Sequence, residues 1–192
     1  MRIATFDVEC TDFSAIGPGF LLCTTIKELD GESSTFRYDS YHCGIGHERD
    51  LVRAVNNELR KYDMLIGFNS ENFDLRWLFS RSLALDLTFD LNPFSYDLYR
   101  ASNRLGIKTP LNSKGHPRHS LGFLIDFFGI EQGKTVIYQR DWWQAVWGNV
   151  EERAKKLTEI CSHCESDVRL TEQLYHRIMP VDKRAIIRRW NV

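Results

Sequence analysis

The first predicted strand, residues 2–9, carries two acidic side chains inside a largely apolar segment. Its apolar and β-branched residues favour a buried strand, and Asp7 and Glu9 interrupt that pattern. Because side chains alternate between the faces of a strand, these two carboxylates project from the same face, about 7 Å apart. Like charges held that close repel each other and lose hydration on burial. A divalent cation that prefers oxygen ligands, Mg²⁺ or Mn²⁺, would balance them.

A solvated strand end is the plainer interpretation of this acidic pair, so the case for a metal depends on carboxylates elsewhere in the chain. Asp74 follows the apolar run 64–68, which predicts a buried parallel strand, and lies at the start of the predicted helix 73–85. Ligands of open α/β sheets gather outside the carboxyl ends of the strands, where Asp74 would lie. The alternative is a carboxylate that only interacts with the dipole of its own helix.

A third acidic position lies on the long predicted helix 150–178. His163 and Asp167 are four residues apart and therefore share one face of this helix. Such a pair is frequently a surface interaction of about 0.2–0.5 kcal/mol. It also suits a metal-dependent hydrolase, which needs a ligand beside a group that orients or deprotonates water.

The order of the predicted elements indicates one α/β domain with a mixed sheet and helices on its faces. Three strands, 2–9, 20–26 and 34–38, predict an antiparallel meander, and parallel strands alternate with helices after it. We predict this domain for residues 1–179, followed by a basic C-terminal tail, 180–192. The other predicted elements are helices 50–62, 121–128 and 141–147, a brief strand 88–91, a short helix opened by residues 96–99, and a loop 109–119.

Composition excludes some classes of protein. No run approaches the roughly 18 apolar residues of a membrane helix, and the first strand begins directly after Met1, so we expect a cytoplasmic protein without membrane contact. Five cysteines, an odd number, predict free thiols in a reducing compartment. The net charge of −1 gives no global case for nucleic-acid binding. The interval 98–124, however, lacks acidic residues and holds Arg100, Arg104, Lys108, Lys114, His116, Arg118 and His119.

Two further patterns have mainly structural interpretations. Cys161 and Cys164 form a C-x-x-C, but a zinc site needs four converging ligands, so these cysteines are better interpreted as residues on a helix face. The tryptophans of 142–147 favour packing, with a platform for base stacking as the alternative.

Three segments, in this order, resemble the exonuclease motifs of the DEDD (DnaQ-like) superfamily: Phe6-Asp7-Val8-Glu9, then Asn69 with Phe73-Asp74, then His163-Cys164 with Asp167. The resemblance spans residues 1 to about 175. It implies a ribonuclease H-like fold and removal of nucleotides from 3′ ends with two divalent metal ions, Mg²⁺ or Mn²⁺. It also implies that the metal-binding carboxylates are Asp7, Glu9, Asp74 and Asp167.

Other positions complete the predicted site. Asn69 and Phe73, within the second motif, are candidate substrate-binding residues. Asp97 belongs to a Tyr96-Asp97-Leu98 element that resembles one in the family, and we interpret it as structural support. The acid-free interval defined above is predicted to contact substrate phosphates through Lys108, Lys114, Arg118 and His119.

One position departs from the family pattern. Members usually place a tyrosine four residues before the last aspartate or a histidine five residues before it, whereas this chain has His163 at the first position and Ser162 at the second. The spacing resembles the tyrosine subgroup, as in the proofreading domains of family B polymerases. His163 would then be catalytic in place of the tyrosine, either as a general base or by positioning water.

The expectation from these residues and this resemblance is a metal-dependent 3′–5′ exonuclease that acts on nucleic acid, with single-stranded DNA favoured and RNA as the alternative substrate. A non-catalytic nucleic-acid-binding module and another phosphodiesterase, such as a 3′-trimming RNase, are the competing interpretations. A polymerase or another replication or repair protein is the expected partner in trans if the chain proofreads.

Overall fold

A computed structural model of the protein describes residues 1–15, 19–41, 48–107, 120–131, 137–185 and 187–190. The strands within these residues are β1 (Ile3–Cys10), β2 (Leu21–Glu28), β3 (Ser33–Arg37), β4 (Met64–Gly67), β5 (Phe94–Asp97) and β6 (Arg188–Arg189). The helices are α1 (Arg49–Leu59), α2 (Asp74–Ala84), α3 (Leu98–Arg104), α4 (Leu121–Phe127), α5 (Gln139–Trp147) and α6 (Val150–Ile178), with a single 3₁₀ turn at Tyr38–Tyr41.

The described strands form one sheet in the order β3-β2-β1-β4-β5-β6. β1 is central, because it pairs antiparallel with β2 on one side and parallel with β4 on the other. β4 continues parallel to β5, so the carboxyl ends of these three parallel strands lie at the same edge of the sheet. The predicted architecture, an antiparallel meander followed by parallel strands and flanked by helices, is confirmed. The short antiparallel strand β6 at the far edge was not predicted.

The 29-residue helix α6 links the two hydrophobic clusters of the molecule. Its first turn is fixed by a capping box, in which the Asn149 side chain accepts from the Glu152 backbone N–H at 3.0 Å and the Glu152 side chain accepts from that of Asn149 at 3.1 Å. Its first half packs into the cluster around β1, β2, α1 and α2, and its second half into the cluster around β4, β5 and α3. Because it spans both, α6 is held at a fixed position against the sheet.

The region between α2 and α3 differs from the prediction. The predicted strand 88–91 is wrong, since residues 87–93 have no regular structure, and the strand lies instead at Phe94–Asp97. Pro93 has no backbone N–H to give to a ladder, so pairing begins after it, where the Phe94 N–H bonds to the Asp63 carbonyl oxygen at 2.8 Å. The prediction that residues 96–99 open a short helix is confirmed, with Asp97 as the N-cap and Leu98 as the first residue of α3.

The described part of the segment 180–192 is attached to the sheet. β6 pairs with β5, and the Trp190 N–H bonds to the Pro93 carbonyl oxygen at 2.9 Å. The Trp190 ring is buried between Phe79 and Phe89, with ring centroids 6.5 and 5.7 Å away. The division between a domain and a tail at residue 179 stays a prediction. No helix in the described ranges is long and apolar enough to cross a membrane.

Candidate active site

β1 delivers two carboxylates to the edge of the sheet beneath α6. Asp7 and Glu9 alternate with Phe6 and Val8, which are buried in the core on the opposite face of the strand. The strand register shifts between Glu9 and Cys10, so the pairing with β2 becomes irregular directly after the second carboxylate. The sequence-predicted pair therefore lies on one face, at the point where β1 leaves the regular sheet.

Asp74 reaches the same place from the first turn of α2. Its Oδ1 accepts a hydrogen bond from the Val8 backbone N–H at 3.1 Å, between the two carboxylates of β1. The preceding turn is tight, because Asn69 has a left-handed backbone with φ of 60° and its carbonyl oxygen accepts from the N–H groups of Asn72 and Phe73. A side chain at Gly67 would come within 2.4 Å of the Ser70 side chain, so the turn needs glycine there.

Asp97 fixes that turn from the neighbouring strand. Its Oδ1 accepts from the Asn69 N–H at 3.0 Å and from the Tyr99 N–H at 2.9 Å, and its Oδ2 accepts from the Glu71 N–H at 3.1 Å. One buried carboxylate thus caps α3 and holds the turn that carries Asp74. Asn69 is held here by its backbone, and its side-chain oxygen accepts from Asn72 Nδ2 at 3.0 Å.

α6 brings the third motif over β1. His163 Nε2 lies 4.0 Å from Glu9 Oε1 and 3.7 Å from Asp167 Oδ2. The Cys164 thiol donates to the Asp7 carbonyl oxygen at 3.5 Å, which ties the helix directly to the strand. The structure therefore brings together the side chains that the sequence predicted as catalytic, namely Asp7, Glu9, Asp74, His163 and Asp167.

Trp142 is a contact of this site that the sequence did not predict. Its indole N–H donates to Glu9 Oε2 at 2.8 Å, and the next residue toward the N-terminus, Asp141, pairs with Lys156 on α6 at 3.0 Å. α5 is thereby anchored to α6 while it presents an N–H donor to the carboxylate. No motif spacing could have identified Trp142, because it lies 133 residues from Glu9 along the chain.

Burial and mutual repulsion raise the pKa values of these carboxyl groups. Desolvation raises the pKa of Glu9 to about 8, with Asp167 and Asp74 adding to it and the Trp142 hydrogen bond opposing it. Desolvation likewise raises the pKa of Asp74 to about 7. The pKa of Asp7 rises well above its usual range through desolvation and the neighbouring Cys164, Asp74, Glu9 and Asp167. Each acid therefore raises the cost of ionising the next.

These residues fit divalent metal ions. Their donors are hard carboxylate oxygens, and no described lysine or arginine forms an ion pair with Asp7, Glu9 or Asp74. No three of the motif side chains have ligand atoms that all lie within 4.8 Å of one another, so one ion held by three of them would require side-chain rotation. Among the described residues, Asp30, Glu172 and His176 have ligand atoms that all lie within 4.8 Å of one another. In that group Glu172 already has a counter-ion, because it pairs with Lys27 at 2.8 Å.

A cavity of about 330 Å³ opens beside Glu9. Its walls include Trp142, Phe73 and Phe13, and the Phe13 ring is 87% exposed and contacts the Phe73 ring edge-to-face at 5.7 Å. The Asp12 carbonyl oxygen accepts from the Trp77 indole N–H at 3.0 Å, which holds the segment carrying Phe13. Phe73 thus lies at the site. The loop candidates Lys108, Lys114, Arg118 and His119 lie outside the described residues.

Comparison with known proteins places the chain in a class. Residues 4–179 match the model of the RNase_H_2 family of the RNase_H superfamily. The chain belongs to this superfamily, and no curated protein matches it. Among solved structures it resembles the family B DNA polymerase from the hyperthermophilic archaeon Pyrobaculum calidifontis, with a TM-score of 0.69 and 18% identity over 93% of this chain. The chain spans 24% of the length of that polymerase, and the likeness supports the ribonuclease H-like fold.

Proposed function

We propose that the chain is a metal-dependent 3′–5′ exonuclease that hydrolyses the terminal phosphodiester bond of a single-stranded DNA. The observation that carries the proposal is the convergence of Asp7 and Glu9 from β1, Asp74 from α2 and the pair His163 and Asp167 from α6. Membership in the RNase_H superfamily supports a nuclease. The 3′–5′ direction and the DNA substrate rest on the resemblance of the motifs to DEDD exonucleases.

Asp7, Glu9, Asp74 and Asp167 would hold two divalent ions, Mg²⁺ or Mn²⁺. When bound, such ions supply an activated water nucleophile and neutralise the charge on the leaving oxygen. The Val8 N–H holds Asp74 against β1, beside Asp7 and Glu9, and the Trp142 N–H fixes the orientation of Glu9. Without a cation this cluster would repel a phosphodiester, so substrate binding and metal binding are coupled.

His163 is the candidate proton acceptor for the attacking water. Its ring nitrogen lies between Glu9 and Asp167, and its side chain is partly accessible to solvent. Imidazole accepts protons near neutral pH, so a water beside His163 could be deprotonated or oriented there. Comparing His163→Ala with His163→Tyr separates the two roles, because tyrosine restores an orienting hydroxyl group without an imidazole base.

The aromatic cavity supports a single-stranded end as substrate. Phe13, Phe73 and Trp142 surround a space next to Glu9, and an unpaired terminal base could stack there. Base stacking on aromatic side chains is worth about 1–3 kcal/mol per base and tolerates any sequence. A base within a duplex would first have to unpair, which favours frayed or single-stranded ends.

Digestion of a 5′-labelled single-stranded DNA with Mg²⁺ or Mn²⁺ tests the proposal. We expect a ladder that shortens from the 3′ end and that disappears with EDTA and in Asp7→Ala. An RNA of the same sequence, run in parallel, would separate a DNA exonuclease from a 3′-trimming RNase. Fragments from internal cleavage would contradict the exonuclease. Binding without cleavage of either nucleic acid would favour a non-catalytic module, and co-purification with a polymerase would support proofreading in trans.

A further inference from the structure

We infer that a second cavity, lined by three arginines, binds a backbone phosphate of the same nucleic-acid strand. The cavity measures about 450 Å³, and its lining residues are Glu71, Asp97, Arg100, Asn103, Arg104 and Arg188. They come from the turn before α2, from the end of β5, from α3 and from β6. This inference rests on the proposed function, because it assigns a binding contact to the substrate of that site.

All six lining residues carry polar or charged side chains, and the two acidic ones leave arginine donors available. The buried Asp97 carboxylate is directed at the backbone N–H groups of Asn69, Glu71 and Tyr99. Glu71 pairs with Arg100 Nη1 at 2.7 Å. Each guanidinium has five N–H donors in a planar fork, so one ion pair leaves further donors for a phosphate.

Arg188 supplies the positive charge that no described acid balances, because Arg104 pairs with Asp182 and Arg100 with Glu71. Arg104 donates through Nη2 to Asp182 at 2.5 Å, and its Nε is buried without a hydrogen-bond partner in the described structure. Arg188 is exposed, and no ion pair to it occurs among the described residues. Arginine donors that converge from separate elements form a site suited to a phosphate.

The cavity adjoins the acidic site through a single short turn. Arg100 Nη2 donates to the Asn72 side-chain oxygen at 3.3 Å, and Asn72 Nδ2 donates to that of Asn69 at 3.0 Å. The same turn ends at Asp74. A strand with its 3′ end at the carboxylates can therefore continue across residues 69–73 toward the three arginines. Bound metal ions and the aromatic rings would hold the end, and arginine would hold the strand behind it.

β6 provides a matched control, because its two arginines face opposite sides of the sheet. Arg188 lines the cavity described here. Arg189 lines a different cavity together with Tyr62 and Asn92, where it donates to the Asn92 carbonyl oxygen at 2.9 Å and its guanidinium lies 4.6 Å from the centre of the Phe94 ring. Replacing either one with alanine removes one positive charge from the same strand. Only Arg188→Ala should remove a phosphate contact.

The test is fluorescence anisotropy with a labelled 12-nucleotide single strand and a labelled trinucleotide, with Ca²⁺ in place of Mg²⁺. We expect Arg188→Ala to weaken 12-mer binding about 3- to 10-fold and to reduce the slope of log affinity against log salt by about 0.7. Arg189→Ala should stay within about twofold of the wild type. Arg188→Lys should retain most of the salt slope, because it keeps the charge, and thermal unfolding checks that each variant is folded.

The outcomes separate this inference from the proposed exonuclease. Equal losses in Arg188→Ala and Arg189→Ala, or equal losses for the trinucleotide and the 12-mer, would overturn the phosphate site even if the enzyme cleaves DNA. An Arg188-dependent salt slope in a chain that cleaves nothing would support the site and contradict the exonuclease. Deoxythymidine monophosphate is added as a competitor. If Arg188→Ala weakened the binding of this mononucleotide but left 12-mer affinity unchanged, the cavity would not bind a backbone phosphate of the nucleic-acid strand.

Discussion

Glu48 and Glu9 are both shielded from solvent, but Glu48 faces an arginine, whereas Glu9 faces a tryptophan and a histidine. Glu48 Oε1 pairs with the buried Arg81 through Nε at 2.5 Å and through Nη2. Arg81 also donates to the Ala15 carbonyl oxygen at 3.2 Å, so the cation is itself held in place. Glu48, a buried carboxylate with a structural role, thus has its counter-ion within the fold.

The carboxylates of the candidate active site have a different environment. Val8 N–H and Trp142 N–H orient Asp74 and Glu9 without supplying a full positive charge, and the neighbouring acids raise the pKa of Glu9 further. Such an arrangement is costly for the folded chain unless a cation arrives from solution. Among the described residues, the candidate site thus differs from Glu48 by lacking a paired lysine or arginine, and this lack of a counter-ion, more than the number of acids, favours a metal there.

Glu9→Gln should have the largest effect on activity. It keeps an oxygen that can accept from Trp142 but removes a charged ligand, so we expect cleavage to fall by more than the roughly 10- to 100-fold that is typical for outer-shell residues of metal sites. The metal-free variant should be at least as stable as the wild type, because one desolvated acid is gone. Cleavage of a labelled strand and thermal unfolding in EDTA measure the two effects. A variant that unfolds more easily in EDTA would contradict the comparison with Glu48.

Glu48→Ala should do the opposite, destabilising the fold without a direct effect on chemistry. Removing one partner leaves the buried Arg81 uncompensated, and such changes cost about 3–5 kcal/mol. Denaturant unfolding of Glu48→Ala, Arg81→Ala and the double variant gives the coupling energy of the pair. We expect the double variant to recover part of the loss. Additive effects would mean that the ion pair is not what stabilises this region.

The stability of the metal-free chain should fall as pH rises from about 4.5 to about 8. Glu9 has an ordinary pKa of 4.5 and a folded-state pKa of about 8. Below this window it is protonated in both states and imposes no cost. Within it the unfolded chain releases its proton while the folded chain retains it, so unfolding becomes progressively more favourable. Each pKa unit corresponds to about 1.4 kcal/mol, so the free energy of unfolding should fall by at most a few kcal/mol across this window.

Unfolding free energies in EDTA across this pH range test the sign. Glu9→Gln should make the dependence less steep, with the raised pKa values of Asp7 and Asp74 accounting for the rest, and saturating Mg²⁺ or Mn²⁺ should reverse it, because metal binding releases the retained protons. Proton release on titration with Mn²⁺ in weak buffer is an independent check. A metal-free chain whose stability increases between these pH values would contradict the environment described for Glu9.

Much of the fold followed from local sequence signals. The long apolar stripe of α6 and Pro180 after it predicted the helix 150–178, and the carboxylates of β1 stood out because alternation predicts a buried strand there. The candidate site was predicted differently: Asp74 and the pair His163 and Asp167 are each ordinary on their own, and only the order of the three motifs pointed to a common site. The predicted catalytic residues Asp7, Asp74 and His163 come together although they are widely separated in the chain.

Other features depend on contacts that no local pattern encodes. The segment 88–91 has strand-like residues, but Pro93 and the Asp97 cap shift the strand to Phe94–Asp97. The two arginines of β6 are indistinguishable in sequence, and only the alternation of a strand paired with β5 separates their faces. Contacts of this kind require the tertiary structure.

Trp142→Phe should give the smallest effect and the sharpest test of how Glu9 is held. The variant keeps an aromatic wall in the cavity but loses the 2.8 Å hydrogen bond to Glu9 Oε2. By analogy with outer-shell residues of metal sites, we expect about 10-fold weaker Mn²⁺ binding, with the fold unchanged. Mn²⁺ titration of tryptophan fluorescence measures this, and Trp147→Phe, a change at an exposed residue of the same helix, is the matched control. Equal Mn²⁺ affinity in the two variants would mean that α5 shapes the cavity but does not orient Glu9.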